Sequence, residues 1–407
     1  MATDDSPLSI LKELIRIPSQ NPMGQDWNNS TVDQSQWLEQ RLSDWLGDFL
    51  QRHSIPHWYD SVAPGRGNVI AVLQGSPDGR SPDGRSPDGQ ALDRPVVLLD
   101  AHQDTVPVSG MTIPPFESLF RDGRVYGRGA CDVKGSMAAI LSTLVRLQSS
   151  QQPFGTVIAT FLCDEEHGQM GARRLASQWD DPRLPKPDFA IICEPTDLNV
   201  VVAHKGTIRW RIRTTGTAAH SSDPSQGENA IYAMAKVVAA LQRLADKLAI
   251  NGMSHALCGQ PTLSVGTIQG GQSVNMIPNE CVVEVDRRIV PGEDPEAIVD
   301  ETREAIASEV DVPFEMLPVD ILSPPLVDCQ NTACAEKLRS IAADVAGESQ
   351  CIGVAYSTHA PHFASAGIAT VVFGPGSITD AHTDQESIDV RQLDQAADVL
   401  FRFVSDV

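Results

Sequence analysis

No stretch of this chain approaches the roughly 20 uninterrupted apolar residues that a membrane-spanning helix needs. The first residues, MATDDSPLS, are acidic and lack the basic-then-apolar pattern of a signal peptide, so the expected location is the cytoplasm. Positive charge is scarce. Lys and Arg number 31 against 53 Asp and Glu, a formal net charge of −22. A field of that sign repels nucleic acid and anionic membrane, and neither is expected as a partner. The eight cysteines form no CxxC pair. Cys163, Cys193 and Cys281 lie in apolar surroundings, which points to reduced structural thiols rather than disulfides or a cysteine-held zinc.

What is there fits a soluble globular protein of 407 residues, long enough for about two domains. Ser6-Pro7 reads as a helix start, with Ser as N-cap and Pro in the first turn. Leu8, Leu11, Leu14 and Ile15 follow at helical spacing. From Gly75 to Gln90 a five-residue unit, SPDGR, repeats with one terminal change. Its Pro, Asp and Gly favour turns and offer nothing to bury, so an exposed, mobile loop is expected.

Short apolar runs without alternation come next: VVLLD (96–100), TVIATFLC (156–163), FAIIC (189–193) and ATVVFG (369–374). Such runs fit strands of a parallel sheet buried on both faces. With the helical pattern SMAAILSTLVRL (136–147) between them, they predict an α/β layer, a mixed and mostly parallel sheet flanked by helices. The middle of the chain differs. GTIRWRIRTTG (206–216) and ECVVEVDRRIV (280–290) alternate apolar and polar residues, as antiparallel strands with one solvated face do. Helices are expected near 227–248 and 294–309. The predicted organisation is a discontinuous first domain, 1–205 and 316–407, interrupted by a smaller α+β domain at 206–315.

In open α/β sheets, ligands bind beyond the carboxyl ends of the strands. Here each buried run is followed by candidate ligands. AHQDTVP supplies His102 and Asp104; DEEH supplies Glu165 and Glu166; Glu194 follows FAIIC; His382 follows the last run. The loop YGRGACDVKG places Asp132 just before the helix at 136–147. His102 and Asp104, two apart in an extended chain, share a face, so Asp104 could accept the second ring N–H of His102 or orient its surroundings. His102, Asp132, Glu166, Glu194 and His382 form a nitrogen-and-oxygen set suited to zinc, cobalt or manganese. Five ligands suffice for two metals if one carboxylate bridges, and Asp132, alone in its loop, is the natural bridge. Any one of these signals is also what a solvated turn looks like; their recurrence at strand ends favours the metal reading.

The order AHQDTVP, GRGACDVKG, CDEEHG, CEPT and GPGSITDAH resembles the co-catalytic zinc aminoacylase and carboxypeptidase family, over nearly the whole chain. That family includes deacetylases, desuccinylases and carboxypeptidases, and residues 204–231 most resemble its acetylornithine deacetylase branch. The resemblance implies a zinc-binding α/β domain with a smaller lid or dimerisation domain, and a homodimer through the latter. It implies that His102 and Glu194 hold one metal with Asp132, and that Glu166 and His382 hold the other. Asp104 would support His102, Glu165 would be the general base, and His220 would help polarise the scissile carbonyl. Asn275, Arg288 and Gly374 match substrate-contacting segments, although Arg288 could instead pair with Asp286 and His220 could be a surface histidine. Many relatives carry an acid where this chain has His359, which leaves open a further metal contact there.

The reaction this implies is hydrolysis of the amide bond of an N-acyl amino acid, in amino-acid metabolism and arginine biosynthesis. Glu165 would take a proton from water and deliver it to the leaving amine. A base that exchanges protons near neutrality should not itself be a metal ligand, which gives two adjacent glutamates separate tasks. A desuccinylase, dipeptidase or carboxypeptidase of the same mechanism is the near alternative; a non-catalytic binding relative is the distant one.

Overall fold

The computed structural model describes residues 4–24, 34–75 and 94–407. The SPDGR repeat lies, from residue 76 on, outside the described residues. The chain divides into two compact units: Met1–Val202 with Asp328–Ile352 and His359–Val407, and Ala203–Val327 with Gly353–Thr358.

Unit 1 is built on a sheet of eight strands among the described residues. They are β1 (His57–Ala63), β2 (Arg66–Leu73), β3 (Val97–His102), β6 (Val157–Leu162), β7 (Phe189–Ile192), β8 (Val200–His204), β13 (Cys351–Val354) and β14 (Ala369–Val372), in the order β1-β2-β6-β3-β7-β14-β8-β13. The ends of β8 and β13 already belong to unit 2. The four runs anticipated from sequence form the centre, and β6-β3, β3-β7 and β7-β14 pair in parallel. The edges do not follow. β1 and β2 form an antiparallel hairpin, β2 meets β6 antiparallel, and β8 meets β14 antiparallel. Strand direction is set by the connections, and an apolar run reads the same either way. A small second sheet joins β4 (Leu119–Arg121), β5 (Arg124–Tyr126) and β15 (Ser387–Asp389).

Helices cover this sheet. In α1 (Pro7–Ile15), the Ser6 hydroxyl accepts the N–H of Ser9, Pro7 stands at the first turn, and Ile10, Leu11, Leu14 and Ile15 are buried. α3 (Lys134–Ser149) is buried on nearly every side. Its small residues Gly135, Ser136, Ala138 and Ala139 allow close packing against β3, α1 and α9 (Val390–Asp406). α2 (Gln40–Arg52) packs on β1 and β2, α7 (Thr332–Ala346) on α9, and α4 (Met170–Ala176) on α8 (Ala360–Ser365). One apolar core joins α1, α2, α3, α7 and α9 to the sheet.

Unit 2 has an antiparallel sheet of β9 (Gly206–Thr215), β10 (Thr262–Gly270), β11 (Glu280–Ile289) and β12 (Glu315–Ser323), ordered β10-β11-β9-β12. Ile208, Trp210 and Ile212 alternate inward on β9, as do Cys281, Val283 and Val285 on β11. They form one core with α5 (Ala230–Asn251) and α6 (Ile298–Ala307). The other face carries cross-strand ion pairs: Arg209–Asp286, Arg211–Asp320 and Arg213–Glu315.

Candidate metal centre

Four chain segments end together at the carboxyl side of the central strands of unit 1. β3 ends on His102, β6 is followed by Asp164–Glu166, β7 by Cys193–Glu194, and the loop before α3 carries Asp132. His382, in the loop after β14, completes the group with a positive φ of 59°.

The imidazole Nε2 of His102 lies 2.9 Å from Asp132 Oδ1 and 3.7 Å from Glu194 Oε1. His382 Nε2 lies 3.1 Å from Asp132 Oδ2 and 3.2 Å from Glu166 Oε1. Each oxygen of one carboxylate therefore faces a different histidine, and each histidine has a further glutamate beside it. A tetrahedral site with metal–ligand bonds of about 2.0–2.1 Å has donor–donor edges of about 3.3 Å. The observed separations bracket that length, so the residues fit a pair of divalent ions. The clustering of His102, Asp132 and Glu166, and of His102, Glu165 and Glu194, brings their donor atoms within 4.8 Å of one another.

Electrostatics agree. Burial raises the carboxyl of Glu166 to about 7, with the charge of Asp132 adding to it. Burial also raises Glu165, and Glu194 well above the ordinary carboxylate range. Asp132 moves down: burial opposes this, but hydrogen bonds from both histidines prevail. Burial disfavours charge on His382, yet its contacts with Asp132 and Glu166 lift it to about 11. Protein groups alone thus leave crowded carboxylates drawing protons into a space that a cation would neutralise.

The surroundings fix these donors. His102 Nδ1–H donates to the main-chain carbonyl of Asp104 at 2.8 Å, whereas the nearest Asp104 carboxylate oxygen is 3.6 Å away. That carboxylate is engaged elsewhere. It accepts the N–H of Glu165 at 3.0 Å, the N–H of Glu166 at 3.1 Å and the Asn21 amide at 2.7 Å. Asp104 therefore supports His102 through its backbone and holds the glutamate turn through its side chain. Asp164 has a positive φ of 65° and turns away from its neighbours. It pairs with buried Arg66 at 2.6 Å and with Asn21 at 3.0 Å; Arg66 in turn holds buried Glu39.

Glu386 does for Asp132 what Asp104 does for the glutamates. Fully buried, it accepts the N–H of Gly129, Cys131 and Asp132 at 3.0, 2.9 and 2.9 Å, and pairs with Arg128 at 2.7 Å. The sequence reading missed Glu386, Asn21, Arg66 and Gln169. Their only sequence signal is polarity in loops or, for Arg66, at a strand end, which is no signal of burial.

Gly374 lies against the CEPT turn. Its N–H donates to Thr196 Oγ1 at 3.1 Å. A Cβ there would come within 2.7 Å of the Glu194 carbonyl oxygen and 2.9 Å of Ser136 Oγ, so close approach to a metal-facing residue requires glycine. The remaining predicted residues belong to unit 2. His220 bridges Met276, and its Nδ1 lies 2.7 Å from Ser222 Oγ. The N–H of Ser221 donates to the carbonyl of Asn275, so the two loops meet. Arg288 pairs with Asp286 at 2.7 Å and donates to Thr207 Oγ1 at 2.9 Å.

Residues 98–406 match Peptidase family M20/M25/M40. The chain is 33% identical over 407 residues to an acetylornithine deacetylase of Vibrio campbellii, covering 97% of each. Its fold is similar to that of an M20 family metallo-carboxypeptidase of Sulfolobus solfataricus, with a TM-score of 0.77 at 18% identity over 99% of each chain. It is also similar to a dinuclear metal-binding M20 peptidase of Bacillus subtilis, with a TM-score of 0.64 at 18% identity over 98% of this chain and 97% of the other. A two-histidine, three-carboxylate centre, the motif order and the match over most of its length lead to one conclusion: this chain belongs to Peptidase family M20/M25/M40 and is a metal-dependent hydrolase of amide bonds.

Proposed function

We propose that this enzyme is a two-metal hydrolase of N-acyl amino acids, of the acetylornithine deacetylase type. The observation that carries the reading is the division of Asp132, whose Oδ1 faces His102 and whose Oδ2 faces His382. His102 and Glu194 would hold one ion and His382 and Glu166 the other, with Asp132 shared. Zinc suits these donors, and cobalt or manganese would also be accepted. When bound, the ions polarise the scissile carbonyl and acidify a water.

The chain's own residues do the rest. Glu165 is the general base, removing a proton from the attacking water and returning it to the leaving amine. Its neighbour Glu166 is committed to His382, which leaves Glu165 free for proton transfer. Asp104, by gripping both backbone N–H groups, fixes the two glutamates in different directions. His220 stabilises the oxyanion, and Asn275, Arg288 and Gly374 contact substrate; the motif resemblance supports these four roles. Unit 2 serves as lid and as dimerisation surface, supported by its edge strand β10 and the exposed Tyr232, Ile268 and Val274. The resemblance supports a cytoplasmic enzyme.

The test is a substrate panel on protein reconstituted with zinc or cobalt: N-acetylornithine, N-succinyl-diaminopimelate, other N-acyl amino acids and dipeptides. Preference for N-acetylornithine is expected, and hydrolysis of none would refute the reading. Glu165→Gln should keep two metals per chain and lose turnover, whereas Glu166→Gln should lose metal. A Glu165→Gln enzyme with near-normal rate would sink the base assignment.

A further inference from the structure

Glu165 lies close enough to the metal donors to join them: its carboxylate shares a 4.8 Å cluster with His102 and Glu194. Something must keep it from becoming a ligand. The candidates are the other groups beside its carboxylate. Gln169 Nε2 lies 3.4 Å from Glu165 Oε1, and the amide is oriented by His362 Nε2, 3.0 Å from Gln169 Oε1. His359, three residues before His362, is fully buried and has its Nδ1 4.0 Å from the same Glu165 Oε1.

The ring of His359 is fixed from behind. Its Nε2 is hydrogen-bonded to Asp100, itself fully buried in β3, and the other oxygen of Asp100 accepts from Thr160 Oγ1 at 2.5 Å. Phe363 meets the ring edge-on, with centroids 6.1 Å apart. Because Asp100 takes Nε2–H, the ring presents Nδ1 in the opposite direction. That nitrogen is buried without a hydrogen-bond partner among the described residues. Leaving a buried polar atom unsatisfied costs about 1–3 kcal/mol; with Asp100 taking Nε2–H, a proton on Nδ1 makes that nitrogen a donor to the Glu165 carboxylate, and the contact removes the cost. A separation of 4.0 Å exceeds a hydrogen bond and is that of an ion-pair contact.

We propose that Asp100 and His359 are positioning residues that hold the Glu165 carboxylate off the metal ions. His359 Nδ1–H offers the Glu165 carboxylate a partner other than the ions, and Asp100 keeps that nitrogen aimed. His359 is thus not a metal ligand. The inference rests on Glu165 being the base, and adds the reason it stays free.

The informative variant is His359→Gln, whose amide nitrogen can still reach Asp100, so the buried acid keeps a partner. Loss of kcat by about 10–100-fold with KM within about twofold is expected, the range seen when a supporting hydrogen bond is removed at a metal site. In cobalt-loaded protein, the visible spectrum of His359→Gln should change as Glu165 becomes a ligand. Adding Glu165→Gln should restore the wild-type spectrum. Wild-type kcat or an unchanged cobalt spectrum in His359→Gln overturns the proposal. A second readout needs neither metal nor turnover. In 15N-histidine spectra of protein prepared with chelator, the His359 Nδ1 resonance should move in Glu165→Gln and stay in place in the surface variant Glu13→Gln. No movement in Glu165→Gln refutes the contact, even if His359→Gln fails to fold. Cobalt failing to bind wild type would instead refute the two-metal reading, with the histidine spectra still deciding the contact.

Discussion

Replacing Glu386 with alanine is the perturbation whose cost the structure specifies best. The carboxylate is fully buried and is the acceptor for three successive-loop N–H groups, those of Gly129, Cys131 and Asp132. It is also the ion-pair partner of Arg128, whose other described side-chain hydrogen bond is a 3.3 Å contact with the Pro107 carbonyl. Hydrogen bonds to a charged acceptor contribute about 1.5–3 kcal/mol each. They do not add here, because all four donors lose the same group. Breaking a buried pair by removing one partner costs about 3–5 kcal/mol, and that range is the expected loss for Glu386→Ala. Glu386→Gln separates two contributions. An amide oxygen in place of Oε1 still serves Cys131 and Asp132, while the amide nitrogen confronts the N–H of Gly129 and the guanidinium of Arg128. Both variants should therefore be less stable in urea, but Gln should retain more metal than Ala, because it still grips the backbone of the bridging Asp132. The assays are urea midpoints and metal content after dialysis. A Glu386→Ala protein within about 0.5 kcal/mol of wild type, the ordinary range for surface substitutions, would refute the reasoning. So would one that holds two metals as firmly.

Three further outcomes follow from the same geometry. Asp104→Asn replaces one accepting oxygen with a donor facing a backbone N–H or the Asn21 amide, so kcat should fall about 10–100-fold; an enzyme with wild-type kcat would contradict the turn-holding role. Gly374→Ala places a methyl group 2.7 Å from the Glu194 carbonyl oxygen, so a loss of about 1–3 kcal/mol and weaker metal binding are expected by urea midpoint and metal analysis. His362 is lowered to about 4, first by burial and then by the charges of His359 and Arg173. Between that value and an unfolded value of about 6.5, the unfolded chain binds the extra proton, so stability rises with pH and is lost on acidification, by up to about 3 kcal/mol. Urea midpoints from pH 7 to pH 4 should be flatter for His362→Gln than for wild type; equal slopes would exclude His362 as the source.

The five candidate donors were legible because the sequence punctuates them: three apolar runs of the central sheet are followed at once by a histidine or an acid, and an α/β sheet collects such ends on one side. The hairpin β1–β2 was not. HWYDSVA is only partly buried at a sheet edge and carries no clean alternation, and direction is invisible in a run as apolar as β2. Buried supports were hidden for another reason. Asn21, Arg66 and Glu386 reach their partners from 83, 98 and 254 residues away, and no local pattern marks a polar group in a loop or at a strand end as buried. Asp100 did leave a trace. An acid completing VVLLD was read as the end of a strand, but β3 continues to His102 and the Asp100 side chain is enclosed. A buried carboxylate demands a partner, and that demand is met by His359.

The run Asp164-Glu165-Glu166 is stable because backbone geometry assigns its three acids to three different partners before any metal is considered. The left-handed turn at Asp164 sends the first carboxylate to Arg66 and Asn21, where a guanidinium compensates it. Asp104 then pins the next two N–H groups to its two oxygens, 3.0 and 3.1 Å away. Consecutive residues pinned in this way cannot point their side chains alike. Glu166 goes to His382, and Glu165 goes towards Gln169 and His359. The proposed chemical difference between the two glutamates, one holding metal and one moving a proton, thus starts in main-chain hydrogen bonds to Asp104. Identical side chains acquire different roles from the carboxylate beneath them, so a change at Asp104 should blur that distinction without touching either glutamate.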